Sequence, residues 1–391
     1  MILKPLCDIF RQSDEFAGLR TALEERGRGA DGGALLVEGI SPASFPLIAA
    51  AVFHETPRQV VVVAENYQKM HEAHLDLSAM VDEGSLFLFP PWETLPYEFV
   101  SPPETTERER ITALYRLIRG EPALVVTTVE SLMRKIPHRE FFEKKGVTLE
   151  AGSDYPFDDI VKMLAVYGYS REKRVESFGH FAVKGGIIDI FPPSHETPLR
   201  LDFFGDTLES IREFDLLSQI SSQEHRAVTI YPRKELVLFE GERGKLFNAL
   251  EKARDDGLDL PEQILAQLKD GELTDASGME DIFPIAIPAD TLCSYLRDDA
   301  LVIYLEPAEL TVRKNHIEKT FADLYAKKHA ATLCLPPDVL IDPDALDRGR
   351  GKSISLQAFT VSQHSLKWQL RSIPNFHGRI KQVREEIAAR I

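Results

Sequence analysis

The segment with the most chemical potential is Gly39-Ile40-Ser41-Pro42-Ala43-Ser44-Phe45-Pro46, set between an apolar run and a helix-prone stretch. In α/β proteins that handle nucleotides, this is the place of the phosphate loop, G-x-x-x-x-G-K-[ST]. Its lysine brings positive charge to the β- and γ-phosphates, and its hydroxyl holds Mg²⁺. In register on Gly39, the second glycine falls on Ser44, the lysine on Phe45 and the hydroxyl residue on Pro46. A phenyl ring and a proline can do neither job. Such a site also needs an acidic residue at the end of a hydrophobic strand to organise metal and water. In Ala300–Glu309 that place is taken by Leu305, with only Glu306 after it. Phosphate loop and acidic box are therefore both degenerate.

Other chemistries fare no better. Read as G-x-S-x-A, the first segment approaches the elbow that presents a hydrolase serine, but the oxyanion hole needs the N–H of the residue after Ser41, and Pro42 has none. A helix-capping loop with Ser44 ahead of Pro46 is the expectation instead. His71 and His74 stand at i, i+3 around Glu72 without HExxH spacing, so a solvated helix face is expected rather than a metal site. Cys7, Cys293 and Cys334 lie far apart with no CxxC pair, the pattern of reduced thiols. No catalytic residue, metal ligand or cofactor is expected in this chain.

The elements that hold these positions follow from apolar periodicity. The chain has 391 residues, enough for two to four domains, with a 43% hydrophobic and 28% charged composition of globular type. A net charge of −16 argues against broad, phosphate-driven nucleic-acid affinity, although the basic stretch Arg171–Arg174 leaves duplex DNA as a weaker reading. No apolar run, Leu47–Phe53 included, approaches the ~20 residues of a membrane span, and no leader pattern opens the sequence, so a cytoplasmic protein is expected. After an amphipathic N-terminal helix and a flexible Arg26–Gly33 stretch, strands are expected at Ala34–Gly39, Gln59–Val63, Ser85–Phe89 and Ala123–Thr127. Helices near Pro46–His54, Glu65–Met80 and Thr105–Arg119 alternate with them. That alternation predicts a parallel sheet with helices on its faces.

From about Lys144 the texture changes to a helix near Phe157–Val166 followed by strand-like Phe181–Phe191, Pro198–Phe204 and Thr207–Phe214, the last two joined by a Gly205-Asp206 turn. Past Tyr231 helical patterns return, and Ala300–Leu305 suits the centre of a parallel sheet. The expected division is 1–143 and 231–340 as two parts of one α/β domain, 144–230 as an inserted α+β domain with an antiparallel sheet, and 341–391 as a linker and the start of a further domain. Ile380, Val383, Ile387 and Ile391 mark one helix face that nothing later covers, as in a fragment.

One signal points to binding. In Leu199–Phe204 the period of two sends Leu199, Leu201 and Phe203 to one face and Arg200, Asp202 and Phe204 to the other. An arginine and an aromatic ring on the face not needed for the core resemble an interface hot spot. Lys184, on a neighbouring strand between small Ala182 and Gly186, joins them.

Three stretches carry a resemblance: Trp92-Glu93-Thr94-Leu95-Pro96-Tyr97, Gly179–Pro192 and Leu199–Phe214. Together they resemble the N-terminal region of the bacterial transcription-repair coupling factors, itself similar to the excision-nuclease subunit UvrB, from about Leu35 to Leu340. The resemblance implies a degenerate RecA-like domain interrupted by an inserted domain that binds the damage-recognition ATPase UvrA. It implies UvrA contacts at Lys184, Arg200 and Phe204, with Arg171 as a further basic contact; Lys184 stands where the family usually has arginine, and an ammonium lacks the planar fork for a bidentate contact. UvrB's lesion-probing hairpin has no room between Tyr97 and the helix near Thr105. RNA polymerase and DNA would be engaged by parts of the family's longer proteins that are not in this chain, through a motor whose motifs appear nowhere in it. The alternative reading is a nucleotide-dependent, UvrB-type repair helicase or damage-verification ATPase.

Overall fold

A computed structural model describes residues 3–26, 34–98, 100–256, 265–266, 268–269, 279–328, 334–348, 353–359 and 365–370. The Arg26–Gly33 stretch beyond Arg26 and the helix face marked by Ile380 to Ile391 lie outside the described residues. At the N-terminus two short helices, Lys4–Phe10 and Asp14–Arg26, stand where one was expected.

The host begins with β1 (Leu35–Ile40), β2 (Gln59–Ala64), β3 (Leu86–Phe89) and β4 (Ala123–Thr128). Helices Phe45–Glu55, Tyr67–Ser78 and Glu104–Ile118 connect them. Every residue of β2 and of β4 is buried, as expected of strands covered on both faces. Val61, Val63 and Val125 enter one core while Val60, Val62, Leu124 and Val126 enter the other. A two-residue strand β5 (Ile136–Pro137) ends this part.

Entry to and exit from the inserted module are paired. The chain goes in through β6 (Val147–Glu150), continues through β7 (Ser170–Arg171), β8 (His180–Lys184), β9 (Ile187–Ile190), β10 (Leu199–Phe204), β11 (Thr207–Phe214) and β12 (Ser221–His225), and leaves through β13 (Ala227–Ile230). β13 lies antiparallel on β6, with Thr148 and Thr229 hydroxyls 2.9 Å apart across the pair. This neck lets a module sit inside a host domain without parting the host's sheet. Strands β7 to β12 form one six-stranded sheet in sequence order, antiparallel except for the parallel β7–β8 pair. Its inner face packs Leu199, Leu201, Phe203, Ile188 and Ile190 against Ile160 and Leu164 of helix Phe157–Val166. The stretch expected as one Phe181–Phe191 strand is a hairpin: Gly185 turns with φ +60°, and a Cβ on Gly186 would fall 2.4 Å from the Phe203 carbonyl oxygen.

The return to the host supplies β14 (Ala289–Asp290), which pairs with β5, and β15 (Leu301–Leu305). Two further strands, β16 (Ser353–Gln357) and β17 (Leu366–Leu370), complete a seven-stranded, all-parallel sheet in the order β17-β1-β16-β15-β2-β4-β3. This corrects the expectation of a linker and a new domain after residue 341. β16 lies between β1 and β15, near the middle of the host sheet, and Leu340, Ile341, Ala345 and Leu346 are buried in the host core. The fully buried Glu38 of β1 ties the late strands down, accepting hydrogen bonds from Gln357 at 2.9 Å and Ser365 at 2.5 Å.

The segment that leaves the module is locked to the host behind the neck. Arg110, fully buried in helix Glu104–Ile118, donates to both carboxylate oxygens of Glu235, at 2.5 and 3.0 Å, and to the Pro90 carbonyl at 2.5 Å. Its guanidinium lies 3.9 Å from the centre of the Phe89 ring and 5.2 Å from that of Trp92. Beside it, Tyr115 stacks on Tyr231 at 4.5 Å and donates to the Pro232 carbonyl at 2.7 Å. Removing one member of a buried ion pair leaves the other charged and unsolvated, so Arg110→Ala is expected to cost about 3–5 kcal/mol of stability. The paired Arg110→Met/Glu235→Leu change should recover part of that loss; urea unfolding of both variants measures the difference.

Candidate functional site

At the C-terminal edge of the parallel sheet, where the phosphate-loop position falls, is a cleft of about 370 Å³. Gly39, with φ +77°, is the penultimate residue of β1, a short 3-10 turn covers Pro42–Ser44, and the helix starts at Phe45. Phe45 is buried and packs into the host core on the side of Ile48 and Val52. Ser44 precedes the helix but makes no side-chain cap, contrary to expectation, because its backbone is already helical at φ −91°, ψ −11°. With prolines at 42 and 46, two of the amides that a phosphate would use are missing.

The rest of that cleft is acidic. Glu65, Glu72, Asp76, Glu306 and Glu309 line it, and its one cation, Lys69, is paired with Glu72 at 2.9 Å. Burial, reinforced by Glu72, raises the Asp76 carboxyl above the usual carboxylate range, and burial does the same to Glu306. Glu306, in a left-handed conformation at φ +51°, accepts a hydrogen bond from the Ala358 amide at 3.0 Å. Leu305 lies beside it on the cleft wall. The His71 and Tyr67 rings meet edge to face at 4.5 Å, and burial lowers the His74 pKa, so these histidines are half-buried rather than on a solvated face. Among the described residues no group of three or more His, Cys, Asp or Glu side chains is placed to hold a metal ion. Cys7 is buried, and Cys293 and Cys334 are partly so.

The outer face of the module's sheet is differently furnished. Lys184 and Phe204 each occupy the last strand position before a two-residue turn, Gly185-Gly186 and Gly205-Asp206, and both turns lie at one end of the sheet, where the Phe203 amide donates to the Gly186 carbonyl at 2.8 Å. Lys184 is two strands from Phe204 and not on the adjacent one, since β9 runs between. From strand spacings of about 4.8 Å across and 3.3 Å along, the two backbone positions are roughly 12 Å apart. The Phe204 ring is 77% exposed; Lys184 is exposed with no ion-pair partner among the described residues. Arg171, on the edge strand β7, is exposed as well.

Arg200 departs from the expectation of a free outward arginine. Its side chain, 19% exposed, makes a two-pronged bond to Asp189 of β9 at 2.7 and 2.9 Å and lies 4.7 Å from the centre of the Phe214 ring. Phe214 is fully buried with Val175 and Ala182 in a small apolar cluster on this outer face. Asp189 and Phe214 were not singled out by sequence reasoning. The alternation of Ile188-Asp189-Ile190 does mark Asp189 as outward-facing, but only the β9–β10 register, Asp189 opposite Arg200, makes it a partner. In the Arg171–Arg174 stretch, Arg174 is engaged within the module, donating to the Leu216 carbonyl at 2.5 Å.

Residues 147–236, which contain this sheet, match the family model of the UvrB interaction domain. The chain is homologous to transcription-repair-coupling factors. It is similar to that of Myxococcus xanthus, 32% identical over 284 residues covering 69% of this chain and 24% of the relative. It is likewise similar to those of Bacillus subtilis, 28% over 252 residues (63% and 20%), and Escherichia coli, 28% over 274 residues (68% and 23%). The chain thus spans between a fifth and a quarter of the length of these curated relatives.

The three side chains differ in what they do for the fold. Arg200→Glu sets a carboxylate against Asp189 above a buried ring, and is expected to lower stability by about 1.5–3 kcal/mol, the range for hydrogen bonds to charged groups. Phe204→Ala and Lys184→Glu should leave the thermal midpoint within a degree or two. Thermal unfolding followed by circular dichroism separates them.

Proposed function

We propose that this chain, homologous to transcription-repair-coupling factors over some two thirds of its residues and carrying a UvrB interaction domain, is a non-catalytic docking module that recruits the damage-recognition ATPase UvrA. The observation that carries the reading is the exposed phenyl ring of Phe204 at the same hairpin end of the sheet as Lys184, whose ammonium has no ion-pair partner among the described residues, on a face whose opposite side already fills the module's core. An aromatic anchor and a basic side chain on one face supply desolvated area and charge-assisted hydrogen bonds to a partner surface. Arg171 extends the basic character along the edge strand. Arg200 contributes as a held guanidinium: Asp189 fixes its plane, and a partner carboxylate reaches it from the open side of the sheet.

The same reading assigns no nucleotide chemistry to the host cleft. A polyphosphate brought there would meet five carboxylates and neither a free lysine nor a hydroxyl at the positions that need them. In the longer proteins of the family, RNA polymerase and DNA are engaged by other regions, and this module brings the excision machinery to the stalled polymerase for nucleotide excision repair.

Lys184→Glu is expected to abolish UvrA pull-down, and Phe204→Ala to weaken binding by about 2 kcal/mol or more, both with unchanged circular dichroism. Undiminished binding by both variants would refute the site. Isothermal titration with Mg-ATP is expected to give no saturable heat; a saturable isotherm would restore the reading of a UvrB-type repair ATPase.

A further inference from the structure

The β11–β12 connection, Asp215–Ile220, is a built loop with an apolar tip. The Asp215 carboxylate accepts from the Ser218 amide and hydroxyl, both at 2.8 Å, and the Asp215 amide donates to the Ile220 carbonyl at 3.0 Å. Gln219 is held in the left-handed region at φ +61°, and Arg174 donates to the carbonyls of Leu216 and Leu217 at 2.5 and 3.3 Å. Leu216 turns in to the small apolar cluster around Phe214, whereas Leu217 and Ile220 are 91% and 69% exposed. Leu217 is more exposed than any other large apolar side chain among the described residues. A loop so closely tied by hydrogen bonds loses little freedom when a partner covers it, and its two bare aliphatic side chains do nothing for the module's own core.

Arg200 connects this loop to the docking face, because the guanidinium that Asp189 holds also donates to the Gln219 carbonyl at 3.4 Å. Along β10, Arg200 and Phe204 are separated by four residues, roughly 13 Å. Loop, arginine and ring therefore fall within the span of about 28 Å that one partner covers in a standard interface of some 800 Å² per side. We propose that Leu217 and Ile220 form a second, apolar anchor for UvrA, seated in a hollow of that partner bordered by acidic side chains that face Arg200. This rests on the docking reading above. It adds that the contact has two ends, a ring at the hairpin turns and an aliphatic pair at the opposite end of the sheet, with Arg200 between them.

The test compares the affinity of UvrA from the same organism for the full chain and for Leu217→Ser/Ile220→Ser, Phe204→Ala and Lys184→Glu by isothermal titration, with thermal melts as a check that each variant folds. The double-serine variant is expected to bind at least tenfold more weakly with an unchanged melt. Normal affinity in that variant, with Phe204→Ala weakened, overturns the second anchor and leaves the first. Weakening confined to the double-serine variant retains the loop as the contact and removes the ring. Sedimentation of the chain alone completes the comparison: dimers of the parent that dissociate in the double-serine variant, with UvrA affinity unchanged, would assign the loop to self-association and overturn the proposal.

Discussion

The return of the chain to the host depends on one buried cation. Arg110 has no exposed surface, yet it satisfies its charge on Glu235 and a donor on the Pro90 carbonyl, and its guanidinium lies against the rings of Phe89 and Trp92. Glu235 lies on the segment that has just left the inserted module, while Arg110, Phe89 and Trp92 belong to the host that precedes it. A guanidinium removed from water is tolerated only with its charge and hydrogen bonds met, so the contact is all or nothing. It therefore fixes the point at which the chain re-enters the host, just beyond the β6–β13 neck. Trp92 and the segment after it hold their shape through the same region. Glu93, at φ +61°, accepts from the Thr106 hydroxyl at 3.1 Å, and the Tyr97 amide is bonded to Asp281.

With the module so fixed, its two sheet faces divide the work. The inner face is aliphatic and closed by a helix; the outer face carries an ion pair over a buried ring at its middle and leaves its hairpin end bare. The division explains why three residues grouped by sequence separate by role. Among the described residues the Lys184 side chain has no ion-pair partner and the Phe204 ring is largely exposed, while Arg200 is part of the sheet's own structure. The host cleft shows the complementary case. Its walls combine the packed ring of Phe45 with the carboxylates of Glu65, Glu72, Asp76, Glu306 and Glu309.

How much of this could be read beforehand follows from the type of signal. β2 and β4 were legible because Val60–Ala64 and Ala123–Thr128 are unbroken apolar or β-branched runs. β16 was not, because Ser353 and Ser355 occupy fully covered positions in a Ser-Ile-Ser-Leu pattern that suggests a half-solvated edge, and the preceding prolines and aspartates imitate a linker. The hairpin at Gly185-Gly186 did announce itself by its two glycines and was passed over within a longer strand-like stretch. The outward direction of Phe204 followed from alternation alone. The Asp189–Arg200 bond and the Arg110 lock depend on residues brought together across 11 and 125 positions, which no local pattern encodes.

The position of β16 has a consequence for the order in which this chain is made. Glu38 and Gln357, bonded side by side in the host sheet, are separated by 319 residues. A ribosome that has released the whole inserted module, whose strands pair with near neighbours in sequence, has still not delivered the strand that β1 and β15 both lean on. The module's sheet can thus form while its host is an open, incomplete sheet, and a strand delivered 319 residues after Glu38 closes the sheet that β1 began.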